Sequence, residues 1–169
     1  MRTYALFVLL CTLCLVIGCS PTMRGSVALS QGHYGEALAR YHEALAQEPD
    51  SIYLRQRIGL TYFAMGDYAR AEGSFHNILL IVPGEPNAAF YLGLSRIGKG
   101  EREAGLALLQ AFRWPDKFYQ QKYVQEEALR LKNHPEAPAK EAIRNLQEAL
   151  EAGIQEQRKL ELEMGFITK

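Results

Sequence analysis

A chain of 169 residues with 48% hydrophobic side chains carries 19 basic and 19 acidic residues, for a formal net charge of zero. With no basic run to neutralise phosphates, the composition weighs against nucleic acid as a partner and against electrostatic attachment to anionic lipid. The size suits one domain, and no linker or low-complexity tract divides it.

Met1-Arg2 gives a short positive start, and Tyr4 to Ile17 is almost wholly apolar. That run has the length of a signal-peptide core and is too short to span a membrane comfortably. It ends in Val16-Ile17-Gly18-Cys19. This tetrad resembles the bacterial lipobox, in which an apolar pair and a small residue precede a cysteine. The resemblance implies that residues 1–18 are a lipoprotein signal peptide, cut before Cys19, and that the Cys19 thiol and the new amino terminus are acylated. A plain secretory signal cut nearby, or an uncleaved anchor, is the alternative. In that family an Asp after the cysteine marks inner-membrane retention, so Ser20 implies the periplasmic face of the outer membrane. Cys11-x-x-Cys14 invites a redox or metal reading, but both cysteines lie inside the peptide that would be removed. The expected covalent group is the lipid on Cys19; no other cofactor is expected. The mature chain, with Cys19 as its one cysteine, has no internal disulfide available and must hold together by packing.

Residues 20–31 make a poor first helix, because Pro21, Thr22, Arg24 and Gly25 stand where helix formers and an apolar-Gly pair are wanted; they form either a frayed helix or a short tether. Tyr34 to Gln47 is a helix with Leu38, Tyr41 and Leu45 on one stripe. Glu48-Pro49-Asp50-Ser51 links it to the next, with Asp50 or Ser51 as cap. Helices follow near 52–65 and 68–81, with Asp67 placed to cap the second. Pro83-Gly84-Glu85-Pro86 is the next link, Pro86 suiting a first helical position. Further helices lie near 87–98, 102–113 and 118–132, the last with Tyr119, Tyr123, Val124 and Leu131 inward, before Asn133-His134-Pro135. The final helix, from Glu136 to about Met164, is long and rich in good helix formers.

A repeat underlies this order. Ile58-Gly59, Tyr62, Gly66, Tyr68, Ala71, Phe75, Ile78 and Pro83 form one helix–turn–helix unit. One period of 34 residues earlier stand Gly32, Tyr34, Ala37, Tyr41, Ala44 and Pro49; one period later stand Leu92-Gly93 and Gly100. Small residues let antiparallel helices approach, aromatic residues fill the space beside them, and glycine makes the turn. The pattern resembles the tetratricopeptide repeat. It implies an all-α chain: an α-solenoid of about three such repeats, over 18–51, 52–85 and 86–119, with additional C-terminal helices, the last one long. The repeat domain is thus 19–119 and the C-terminal helical extension, or cap, 120–169. The third unit is degenerate, with Arg96 where Tyr62 stood and Gly105 where Ala71 stood.

No catalytic signature or phosphate-cradling loop appears, the carboxylates are spread over helix surfaces, and no enzyme activity is expected. His42 and His76 are one period apart, about 10 Å in a helix stack, too far to share a metal ion; no metal is expected. The family's groove-facing offsets fall on Tyr53, Gln56, Leu60 and Phe63 in unit two and on Asn87, Phe90, Leu94 and Ile97 in unit three. The resemblance implies that these hold a peptide or helix of a partner protein, unless the chain's own helices 118–132 or 136–164 cover them. They depart from the carboxylate-clamp subfamily, so capture of a charged C-terminal tail is not expected. Ile143, Leu146, Leu150, Gly153, Gln157, Leu160 and Met164 recur at heptad spacing. That seam either caps the solenoid or pairs two copies through Leu146, Leu150 and Leu160. The expectation is a lipid-anchored envelope adaptor that serves assembly of an outer-membrane, secretion or pilus complex. The alternative is a self-associating structural lipoprotein, a homodimer joined through its last helix.

Overall fold

The computed structural model describes residues 20–167, with side chains to 163. Cys19 and the expected signal peptide lie outside the described residues. Those described form helices α1 (Pro21–Ser30), α2 (Tyr34–Gln47), α3 (Ile52–Ala64), α4 (Tyr68–Ile81), α5 (Pro86–Gly98), α6 (Arg102–Gln110), α7 (Phe118–Asn133) and α8 (Ala139–Ile167). The chain is all-α, with the helix–turn–helix order of a tetratricopeptide-type solenoid followed by α7 and α8. By internal contacts it divides into two compact units, one running to Leu54 and the other from Arg55.

In the first unit, α1 is a formed helix rather than a tether. The Ser20 side chain accepts a hydrogen bond from the Met23 amide at 3.3 Å, and Pro21 occupies the first turn. Serine as cap followed by proline is a start signal, because proline's missing N–H is an orphan there anyway. Gly25 is the reason α1 can pack. A Cβ on it would lie 2.8 Å from Cε1 of Tyr41 on α2, whose ring is fully buried.

The second unit repeats this device. A Cβ on Gly59 of α3 would lie 2.9 Å from Cζ of Phe75 on α4, and one on Gly93 of α5 would lie 2.7 Å from Cγ of Leu109 on α6. Gly25, Gly59 and Gly93 are one period apart, as are Tyr41, Phe75 and Leu109. Gly25 is therefore the repeat's own glycine. Gly32, Gly66 and Gly100, also one period apart, hold the three inter-helix turns with φ of 77°, 77° and 93°, a left-handed conformation that glycine adopts without steric cost. Gly105 is not a decayed alanine: a Cβ there would fall 2.5 Å from the Gly93 carbonyl oxygen, so glycine brings α5 and α6 closer.

α5 begins at Pro86, the first helical position that proline suits. Two other helix ends differ from expectation. α6 stops at Gln110, where the chain turns to bury Phe112. α8 begins at Ala139 rather than 136, because a residue before proline, here Ala137, is disfavoured in helical conformation. Residues from α5 to α8 share one core, with Phe90, Leu94, Leu106, Leu109, Val124, Leu131, Ile143 and Leu146 among its members. Two neighbouring helices bring polar ties to this core. Arg102 of α6 donates to the carbonyl oxygens of Ala137 (2.8 Å), Leu131 (3.0 Å) and His134 (3.2 Å), satisfying acceptors that the end of α7 leaves open. Arg96 Nε of α5 donates to Glu72 of α4 at 3.0 Å, and Lys99 pairs with the same carboxylate. The degenerate arginine thus exchanges an aromatic contact for an ion pair.

Candidate protein-binding site

The expected binding residues occupy equivalent positions on α3 and α5, and the two helices treat them differently. On α3, Tyr53 is 52% exposed, and Gln56, Leu60 and Phe63 are half-buried. Phe63 is held from one side: its ring stands edge-on to Tyr68 at 5.4 Å and to Tyr91 at 5.3 Å. Its position is therefore fixed before any ligand arrives, which lowers the ordering cost of binding.

On α5, Asn87 is exposed and its side-chain amide donates to Glu85 at 3.2 Å. Phe90 is 1% exposed, and Leu94 and Ile97 are wholly buried. Contrary to the expectation for unit three, these three do not form a ligand-facing surface; they are core. α8 packs against α5 and contributes Ala142, Ile143 and Leu146 to the same cluster. The last helix thus lies where the family resemblance placed a partner's helix.

This also corrects the seam on α8. Leu146 is fully buried and so is not free to join a second copy, while Leu150 is half-buried against the core. Gly153 is not a weak seam position but a close approach of α8 to α7, where a Cβ would lie 2.7 Å from the Tyr119 carbonyl oxygen and from Gln120 Cα. To this point α8 is a cap. Leu160, beyond it, is half-buried.

At the boundary between the open strip and the sealed one stands Tyr91. Its ring stacks on Phe75 at 5.5 Å. Burial pushes its hydroxyl above the ordinary phenol range, opposed by a hydrogen bond with Gln147 of α8 and by the nearby charge of Arg57. Tyr91 therefore stays neutral, its hydroxyl tied to α8 beside an apolar floor. The sequence reading passed over it, although an aromatic residue next to Phe90 on a first helix was a visible signal. Elsewhere, the Lys99 and Arg96 cations beside Glu72 hold its carboxyl below the usual range. His42 and His76 are exposed, and among the described residues no group of three or more His, Cys, Asp or Glu is placed to hold a metal ion. No described helix is long and apolar enough to cross a membrane.

Comparison with known proteins bears on the same stretch. The tetratricopeptide repeat family model matches residues 28–89. The photosystem I assembly protein Ycf3 of Acaryochloris marina is 33% identical over 81 residues, covering 46% of this chain and 49% of that protein. The chain thus spans about half the length of this curated relative. No solved structure gives a significant match. The periodic glycines, their aromatic and aliphatic partners and this match agree: residues 28–89 are similar to the tetratricopeptide repeat family.

Proposed function

We propose that this protein is a lipid-anchored adaptor of the bacterial envelope, held at the periplasmic face of the outer membrane through Cys19, that binds a segment of a partner protein on α3 during assembly of an envelope complex. The repeat fold supports the coarse part, since tetratricopeptide repeats are protein-binding scaffolds. The matched relative is, by its name, an assembly protein of another system. The apolar run ending in Val16-Ile17-Gly18-Cys19 supports the anchor.

One observation carries the choice of site. Gln56, Leu60 and Phe63 stay half-exposed on α3, whereas the residues one period later, Phe90, Leu94 and Ile97, are sealed in the core with α8. An apolar floor with a rigid aromatic and a polar neighbour is the kind of surface on which binding energy concentrates.

The test is photo-crosslinking in intact cells, with the crosslinker at Leu60 and a control at Gly73, which points into open space on α4. A discrete heteromeric product at Leu60 and none at Gly73, identified by mass spectrometry, is the expected result. A product only at the mass of a dimer would overturn the adaptor reading and support self-association. Mass analysis of the mature protein tests the anchor separately: acyl groups on residue 19 are expected, and an unmodified cysteine would refute it.

A further inference from the structure

The end of the chain from Ala139 is closed by a helix that caps the core, but α1 leaves an apolar strip uncovered. Met23 and Val27, four residues apart and so on one face of α1, are 56% and 50% exposed. They line a shallow depression with Arg24, Ala28 and Gln31 of α1 and Glu36 of α2. α1 packs through its buried residues, Gly25 and Ala28. α1 contains no acidic residue, and Arg24 is its single charge.

Chain length decides what can cover this strip. Ser20 is the cap of α1, so no tether separates Cys19 from the helix. At 1.5 Å per residue, Met23 and Val27 stand roughly 5 and 10 Å along the helix from its cap, Ser20. Acyl chains on Cys19 enter the hydrocarbon beside the headgroup layer, and an interfacial helix buries its apolar face about 5–10 Å into that boundary. A helix lying in that interface, started at the anchor, brings Met23 and Val27 on its one exposed face to the apolar boundary, with Arg24 near the lipid phosphates.

Resting on the reading that Cys19 carries lipid, we infer that α1 is a membrane-seating helix: Met23 and Val27 insert into the bilayer interface and fix how the first unit stands on the membrane. The anchor then orients α1 instead of merely tethering it. A bilayer is favoured over a protein partner because the missing tether places this face at the lipid surface whatever else is bound.

The experiment uses the full-length acylated protein reconstituted in phosphatidylethanolamine–phosphatidylglycerol vesicles. The sequence has three cysteines, Cys11, Cys14 and Cys19, and acylation after cleavage leaves none as a free thiol. Val27→Cys and Met23→Cys can then each take one environment-sensitive fluorophore, with Ala39→Cys, exposed on α2, as control. The inference predicts a blue shift at 27 and 23 and quenching by lipids brominated in the acyl chain, with neither at 39. A protein shown by mass to be acylated, whose label at 27 behaves like that at 39, overturns the inference and leaves the anchor standing. A blue shift at 27 without quenching by brominated lipid means a protein cover, such as a second copy, and also overturns it. An unacylated residue 19 overturns the anchor first, and this inference with it.

Discussion

α3 and α5 are the first helices of successive repeats, and the same offsets on them have opposite fates. Gln56, Leu60 and Phe63 remain half-exposed; Phe90, Leu94 and Ile97 are covered. The repeat spacing is the same, and Gly59 and Gly93 make the same kind of close approach. What differs is α8, which packs on α5. A repeat position thus dictates where a side chain points but not what meets it. The same scaffold face serves as core in one repeat and as candidate binding surface in the other.

The largest effect that would break this comparison is a truncation at matched positions. Leu94→Ala should cost about 2–5 kcal/mol, because a fully buried leucine leaves a cavity. Leu60→Ala should cost about 1 kcal/mol or less at a half-exposed site. Urea unfolding of the two variants measures the difference, and equal costs would mean that both strips are covered.

Lifting α8 is the next largest perturbation. Gly153→Ala places a methyl group against the backbone of α7 and should destabilise by about 1–3 kcal/mol through overpacking. It should also raise binding of a hydrophobic dye as the α5 strip is uncovered. Gly73→Ala, at a helical glycine with open space around it, should leave stability equal or slightly improved.

A smaller effect sharpens how α4 is tied to α5. Lys99 foremost, and Arg96, hold the Glu72 carboxyl below its ordinary value. A depressed folded pKa gives stability that is fully present above the unfolded carboxylate range and lost as pH falls through the folded value. Acid should therefore destabilise the wild type over that window, and Glu72→Gln should flatten this limb of the stability profile. An unchanged profile would show that the pair contributes nothing measurable.

Much of the fold was legible because it is periodic. The bounds of α2 and α4 follow directly from the pattern, and the Asp67 cap was visible from the turn beside it. Gly25 was equally legible by subtracting one period from Gly59, but its neighbours Pro21 and Thr22 masked a helix start. The sealing of α5 was not legible from spacing, since it depends on a helix about 50 residues later folding back. Composition held the one available signal: offset 56 is Gln on α3, whereas its equivalent on α5 is Phe90. A strip that is apolar at three successive offsets, as Phe90, Leu94 and Ile97 are, is more readily core than groove.

The most direct test of the account replaces Leu60 and, separately, Leu94 with a diazirine analogue of leucine, close enough in shape to keep both packings. After irradiation in cells, position 94 should crosslink within the chain to α8, in the region of Ala142 to Leu146, and position 60 should crosslink to another protein. A product between position 94 and a partner, or one from position 60 confined to this chain, would contradict the division between a sealed α5 and an open α3.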